Sequence, residues 1–171
     1  MVRIIIRENE RGLLMRDGRV ARWLEPGRHR IFSGFGREIE VTKLDLDMAY
    51  AELTPELEKV LPANTGQKLF VPADSVATLS VDGRPWDVLR PGKYVLWQER
   101  AQVTATLYTT DELMSTLPEK YWDLVSTRDF ASITVHPYQR ALVYVNGALD
   151  RVLTAGRYLL SKVDREVQVL Y

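Results

Sequence analysis

The sequence predicts a mainly β fold with short helices, an α+β class in which three tandem antiparallel hairpin or meander units are joined by short helical spacers. Two observations predict it. One turn-flanked apolar pattern occurs three times along the 171 residues, and the segments between the copies contain a Pro-Glu pair typical of a helix start. With 46% apolar and 27% charged residues, the composition is that of a globular chain with a packed core.

The repeated pattern is an apolar run that ends in a tight-turn dipeptide. Its copies are residues 11–18, 76–83 and 140–147, so that the turn glycines lie 65 and 64 residues apart. Asp-Gly and Asn-Gly between apolar runs favour a type I′ turn, because both central residues of that turn need positive φ. We therefore expect three equivalent hairpins, with positive φ in the turns Asp17-Gly18, Asp82-Gly83 and Asn146-Gly147.

A second turn follows nine residues after each turn glycine. Pro-Gly favours a type II turn, because proline fixes φ at the second position and glycine takes positive φ at the third. The third copy has alanine in place of proline and keeps the glycine. The turns are Pro26-Gly27, Pro91-Gly92 and Ala155-Gly156. The residues expected in matching slots around them are Leu24, Leu89 and Leu153 before the turn, and His29, Tyr94 and Tyr158 after it.

Strands are predicted on both sides of these turns. In the first copy they cover residues 2–7, 12–16, 20–24, 29–32 and 38–46, and we expect them to form a meander. Residues 38–46 alternate between polar and apolar side chains, which is the pattern of a sheet with one solvated face.

The spacers are predicted to contain helices at residues 54–61 and 117–125. Thr54 is a capping residue followed by Pro55, with Leu57, Val60 and Leu61 on one face. The second spacer repeats the Pro-Glu start and places Tyr121, Leu124 and Val125 at the same spacing. The predicted segments are 1–64, 65–130 and 131–171, each a repeat unit, the first two with their spacers and the third incomplete.

No residue set points to catalysis, a metal or a cofactor. The chain lacks cysteine, and its two histidines, His29 and His136, have no second ligand at metal-binding spacing. Asp45 and Asp47 are interpreted as a solvated strand end, and residues 34–36 as a hairpin tip and not a phosphate loop. An enzyme whose active site is assembled from residues distant in sequence is the weakest alternative, because such a site leaves no local motif.

Charge is balanced overall but unevenly distributed. Lys plus Arg and Asp plus Glu both total 23, whereas residues 1–43 carry +4, residues 44–64 carry −4 and residues 110–130 carry −3. Basic units thus alternate with acidic spacers. The predicted docking surface for an acidic spacer, of this chain or of a neighbour, consists of Arg19, Arg22, Arg28 and Arg30.

The stretch from Ile4 to Phe32 resembles the start of bacterial slipins, members of the stomatin/prohibitin/flotillin (SPFH, band 7) superfamily. The shared features are an arginine-glycine, an apolar strand, a glycine-arginine and a leucine-x-Pro-Gly-x-His sequence. The segment from Val135 to Gly147 is similar to the opening of the SPFH domain itself. This resemblance implies a membrane-associated assembly protein that reaches the membrane only through segments outside this chain.

Three functions follow as expectations. The first is a non-enzymatic scaffold that acts by self-assembly or protein docking, in the cytoplasm or at the cytoplasmic face of a membrane. The second is a binding module that captures an extended peptide at an exposed strand edge. A third, weaker alternative is a single-stranded nucleic-acid binder that uses Phe32 and Phe35 with nearby arginines, although the neutral total charge argues against nucleic acid.

Overall fold

A computed structural model describes the whole chain, Met1–Tyr171, with sixteen strands and three short helical segments. The chain divides into two compact bodies. The amino-terminal body contains Met1–Phe70, Val81–Gly83 and Gly92–Val103, and the carboxy-terminal body contains Val71–Ser80, Arg84–Pro91 and Thr104–Tyr171. None of the helical segments is long and apolar enough to cross a membrane.

The first five strands form two small antiparallel sheets instead of one meander. They are β1 Val2–Ile6, β2 Glu10–Arg16, β3 Arg19–Leu24, β4 Gly27–Ile31 and β5 Ile39–Asp45. β1 pairs with β4, and β2 lies between β3 and β5. The expected meander is therefore wrong in its order. The turn at Pro26-Gly27, with Gly27 at φ 138°, takes the chain out of the β2–β3 hairpin and into the sheet with β1.

The next six strands pair in the same manner. They are β6 Tyr50–Glu52, β7 Gly66–Val71, β8 Ser75–Val81, β9 Arg84–Leu89, β10 Gly92–Trp97 and β11 Val103–Thr109. One sheet has the order β6-β10-β7 and the other the order β11-β8-β9. β8 is again the central strand of its sheet, and β6, which precedes α1 in the first spacer, adds a third strand to β10.

The last five strands are β12 Phe130–Val135, β13 Ala141–Val145, β14 Ala148–Leu153, β15 Gly156–Ser161 and β16 Val167–Leu170. β12 pairs with β15, and β13 lies between β14 and β16. The β13–β14 hairpin has a register shift between Val143 and Tyr144, and the β2–β3 hairpin has one between Leu14 and Met15. Both shifts lie four residues before the turn glycine.

The two spacers differ in their helices. The first contains α1, Pro55–Val60, where Thr54 Oγ1 accepts a hydrogen bond from Leu57 N at 3.2 Å and Leu57 is buried. The second contains only a 3-10 helix, Glu119–Leu124, with no side-chain cap. Tyr121 is buried as expected, but Leu124 is exposed, because the tighter helix turns that position away from the core. A short 3-10 turn, Leu46–Met48, also precedes β6.

Buried apolar side chains form clusters within each body. In the amino-terminal body, one cluster is built on Leu14 and the other on Trp97, whose ring lies 6.5 Å from that of Trp23. In the carboxy-terminal body, the clusters are built on Val76 and on Val143. β2 and β8 each contribute four consecutive buried residues to these cores, whereas burial alternates along β16, as a period of two predicts for a sheet with one solvated face.

Arg11 is a buried charge inside the amino-terminal body, with a side chain only 7% exposed. Its guanidinium forms ion pairs with Glu99 and with Glu25, the latter at 3.1 Å from Nε without hydrogen-bond geometry. It also donates to the carbonyl of Glu8 at 3.0 Å and to the carbonyl of Glu10. The charge is thus compensated within the chain, as a buried arginine requires.

Candidate docking edge

The hairpin turns have the backbone conformation expected from the sequence. Gly18, Gly83 and Gly147 have φ of 74°, 80° and 83°, which confirms the predicted positive φ. The preceding Asp17, Asp82 and Asn146 all have φ of 50°. The second-turn glycines Gly27, Gly92 and Gly156 have positive φ, as predicted, but the values of 138°, 156° and 152° lie far from the φ of about 80° in a type II turn, so that the predicted turn type is wrong.

The first residue of each hairpin turn also forms two hydrogen bonds with the chain segment that leads into the third strand of the hairpin's sheet. Asp17 N donates to the carbonyl of Glu38 at 2.9 Å, and Asp17 Oδ1 accepts from Glu38 N at 3.0 Å. Asp82 makes the same pair of bonds with Gln102, and Asn146 makes it with Glu166. These residues therefore have a structural role beyond the turn itself.

Residues at matching positions around the second turn have similar environments. Leu24, Leu89 and Leu153 are all buried. His29 Nε2 lies 2.7 Å from the carbonyl of Glu25, and Tyr158 Oη donates to the carbonyl of Thr154 at 2.9 Å. Each of these contacts spans four residues across the turn. His29 thus contacts its own turn through a ring nitrogen, and its packing role stays a prediction.

The four predicted docking arginines lie on two sheets. Arg19 and Arg22 are exposed on β3, where Arg19 lines a groove with Glu56 and Lys59 of α1 from the same chain. Arg28 and Arg30 are exposed on β4. The helix α1 of the first acidic spacer therefore already packs beside β3. Of the four predicted docking arginines, Arg28 and Arg30 on β4 remain without an acidic segment beside them.

β10 and β15 each have an outer edge that the preceding spacer occupies. Trp97 N donates to the carbonyl of Ala49, and Ser161 N donates to the carbonyl of Leu113, both at 2.8 Å. In the first case β6 continues the pairing, with Leu96 opposite Tyr50. In the second case the contact is an isolated antiparallel bridge between Met114 and Leu160.

β4 is the strand without such a neighbour, since its sheet contains only β1 and β4. Phe32 lies five residues after Gly27, as Trp97 lies five residues after Gly92. Trp97 is 1% exposed, whereas Phe32 is 75% exposed. The outer edge of β4 thus leaves backbone groups and an aromatic side chain accessible where β10 is covered.

The β4 edge is also strongly basic. Arg3 of β1 lies directly opposite Arg30 of β4, and Ile5 lies opposite Arg28. Arg3, Arg28 and Arg30 are all exposed, and none of them has a carboxylate partner. Like charges directly opposite each other on neighbouring strands destabilise a sheet, so that a bound acidic group would relieve this pair.

The other polar residues considered from the sequence have structural roles. Asp45 Oδ1 accepts from Asp47 N at 3.0 Å and so caps the 3-10 turn after β5, and Arg100 pairs with Asp47 at 3.0 Å. They are not merely a solvated strand end, because their oxygens are engaged by neighbouring groups. No group of three or more His, Asp or Glu residues is arranged to hold a metal ion.

Residues 34–36 do not form a hairpin tip. They connect β4 to β5, which lie in different sheets, and Phe35 is fully exposed there. The sequence offered no signal for the open β4 edge, because strand pairing partners cannot be read from the alternation of side chains.

Comparison with known proteins yields no match to a family model, a curated protein or a solved structure.

Proposed function

We propose that this chain is a non-enzymatic docking module of three tandem β units that binds an extended acidic segment of a partner chain as an added strand on β4. When the partner is a second copy, the same contact makes the chain an assembly module, as expected for a slipin-like scaffold. The slipin-like identity and the membrane association belong to this proposal and rest on the sequence pattern alone.

The tandem organisation is supported by recurrence of detail. The residues Asp17, Asp82 and Asn146, the register shifts of β2 and β13 and the buried leucines fall at constant distances from the turn glycines. The turn residues form the same pair of bonds with a residue 21, 20 and 20 positions further along the chain. Because the spacing is constant, a segment that pairs with β10 in one unit has a counterpart position on β4 and on β15.

The docking proposal rests on the unpaired outer edge of β4. An extended segment covers β10 and another covers β15, and both segments come from acidic spacers. At the equivalent register position, the outer edge of β4 has no pairing strand, and its residues Arg28 and Arg30 are positively charged. Strand addition supplies main-chain hydrogen bonds, and the arginines supply selectivity for acidic residues.

A labelled peptide with the sequence of residues 45–54 is the most direct probe, because this segment includes the chain's own edge-covering strand. We expect it to bind the full chain at low ionic strength in fluorescence anisotropy and to bind less tightly at high salt, since exposed ion pairs are screened. The double variant R28E/R30E should weaken binding at least tenfold. Absence of binding to the unaltered chain at low ionic strength would contradict the proposal.

Two further variants separate charge from strand addition. Arg30→Pro removes a backbone N–H that by the register of β10 faces the open edge, and an edge strand tolerates proline. We expect it to abolish peptide binding, whereas Arg30→Ala should weaken it only moderately. Arg84→Glu is the matched control, because Arg84 is exposed on β9 without an ion pair. Equal loss with R84E would mean that total charge, and not the edge, determines binding.

Light scattering after gel filtration tests the assembly form of the proposal. If the partner is a second copy, the chain should form a concentration-dependent dimer or larger species at low salt, and Arg30→Pro should return it to monomer. A strict monomer that still binds the peptide would favour docking of a different protein.

Single-stranded nucleic acid is a second candidate because Phe32 and Phe35 are both exposed beside Arg28, Arg30 and Arg37. Base stacking on aromatic side chains does not need a strand edge. An oligothymidine probe that binds the R30P variant normally but fails to bind F32A/F35A would support this candidate over strand addition.

A further inference from the structure

A cavity of about 360 Å³ lies within the carboxy-terminal body. Its volume is within the range of small-molecule sites. Its walls are formed by the start of β8, the turn after β9, the residue after β11, and the segments before β12 and after β15. The polar side chains of its lining include Thr110, Arg90, Arg128, Asp129, Lys162 and Asp164.

The charge balance of this cavity favours an anion. Arg90 and Asp129 pair with each other, with Nε and Oδ2 at 2.7 Å, so that these two charges offset one another. Arg128 and Lys162 have no carboxylate partner. Asp164 is an exposed turn residue at φ 57°, whereas Lys162 is half-buried. Apart from the Arg90–Asp129 pair, the lining thus contains two cations without a carboxylate partner, Arg128 and Lys162, and one solvent-exposed carboxylate, Asp164.

Thr110 adds an independent polar feature. It is 2% exposed, and its Oγ1 is buried without a hydrogen-bond partner, although its carbonyl accepts from Ser161 Oγ at 2.8 Å. A buried hydroxyl without a partner costs free energy, and native structures rarely keep one without a reason. A ligand oxygen in the cavity would accept a hydrogen bond from the Thr110 hydroxyl, while the two cations would offset the charge of the ligand.

We propose that this cavity binds a small oxyanion, a phosphate or carboxylate group, through Arg128, Lys162 and the Thr110 hydroxyl. The Arg90–Asp129 pair is a positioning element: it holds one wall in place, and the backbone N–H of Lys162 donates to the carbonyl of Asp129 at 2.7 Å. The proposal is independent of the docking function, because none of these residues lies on β4.

Titration of the full chain with sodium phosphate and with sodium citrate, followed by amide NMR at constant ionic strength, tests the site. We expect saturable shifts at Thr110, Asp129 and Lys162 with at least one of the two anions, and no such shifts with sodium chloride. Tighter binding of phosphate would indicate a phosphorylated ligand, and tighter binding of citrate a carboxylate. Failure of both anions to saturate these amides would overturn the proposal.

Variants distinguish the site from general attraction of anions. R128Q/K162Q should weaken binding about tenfold or more, because charge-assisted hydrogen bonds to an oxyanion are lost. R84Q/R140Q removes the same charge from exposed positions of the same body and should leave binding unchanged. Equal weakening by both pairs would show non-specific attraction and would overturn the site.

Thr110→Val gives a readout that a purely structural role would not produce. Removing an unpartnered buried hydroxyl should leave the melting temperature of the anion-free chain unchanged or raise it, while anion binding weakens several-fold. If T110V lowers the melting temperature without anion and leaves binding intact, the hydroxyl is structural and is not part of a binding site.

Discussion

Arg11 and Val76 occupy the same position of two hairpin strands, seven residues before the turn glycine, yet the interiors around them have different chemistry. Around Arg11, the carboxylates of Glu25 and Glu99 neutralise the guanidinium. Around Val76, the corresponding positions hold Arg90 and Val163, beside an open polar cavity. The backbone pairing is nevertheless the same, with β2 and β8 each central in a three-stranded sheet.

This difference shows which residues determine the unit's backbone. The turn glycines and a run of four buried residues in the first hairpin strand are shared by both regions, whereas the charged interior residues are not. The ion pairs of Arg11 with Glu25 and Glu99 therefore compensate one buried cation, and the backbone fold of the unit does not require them. The following variants test this conclusion.

Val76→Arg should have the largest effect on stability. It places a cation in a site that is 2% exposed, near Arg90 and without the carboxylates that surround Arg11. We expect a loss of about 4 kcal/mol in the free energy of unfolding, measured by urea titration, since an unpaired buried charge and overpacking both contribute.

The double variant V76R/V163E is the control for this substitution, because it supplies a carboxylate at the position that corresponds to Glu99. It should recover at least half of the lost free energy. If V76R alone is as stable as the unaltered chain, the cavity accommodates a cation and the two interiors differ less than their sequences indicate.

Glu99→Ala should have an intermediate effect of about 2 kcal/mol. It leaves the Arg11 guanidinium buried with only Glu25, which is more than half exposed, and Glu99 is itself partly exposed, which reduces the cost below that of a fully buried pair. Arg11→Met removes the charge and keeps most of the volume, so we expect it to cost less than Glu99→Ala. The reverse order in chemical denaturation would mean that the ion pair itself stabilises the body.

Asp17→Asn should have the smallest effect, within about 0.5 kcal/mol, because Asn146 makes the same turn bonds with an amide oxygen and tolerates positive φ. Asp17→Ala should cost about 1–2 kcal/mol, since it removes the acceptor for Glu38 N at a residue with φ of 50°. Thermal unfolding of both variants checks the difference, and a similar loss in both would show that the carboxylate charge matters.

Much of the fold was predictable because its signals are local. The hairpin turns, the buried leucines and the Thr54 cap depend on residues within a few positions of each other. Strand order was not predictable, because the pairing of β1 with β4 and of β2 with β5 depends on contacts between distant residues. The basic β4 residues Arg28 and Arg30 were identified from charge, but the open edge and the cavity around Thr110 emerge only in three dimensions.

The bonds of Asp17 to Glu38 also bear on the order of folding. Within the first hairpin sheet, the most distant strand pairing joins Glu10 to Asp45, so that little loop-closure entropy opposes its formation. The ion pair of Arg11 with Glu99 spans 88 residues and forms only after β10 is in place. Substitutions at Asp17 should therefore slow refolding, and substitutions at Glu99 should mainly accelerate unfolding.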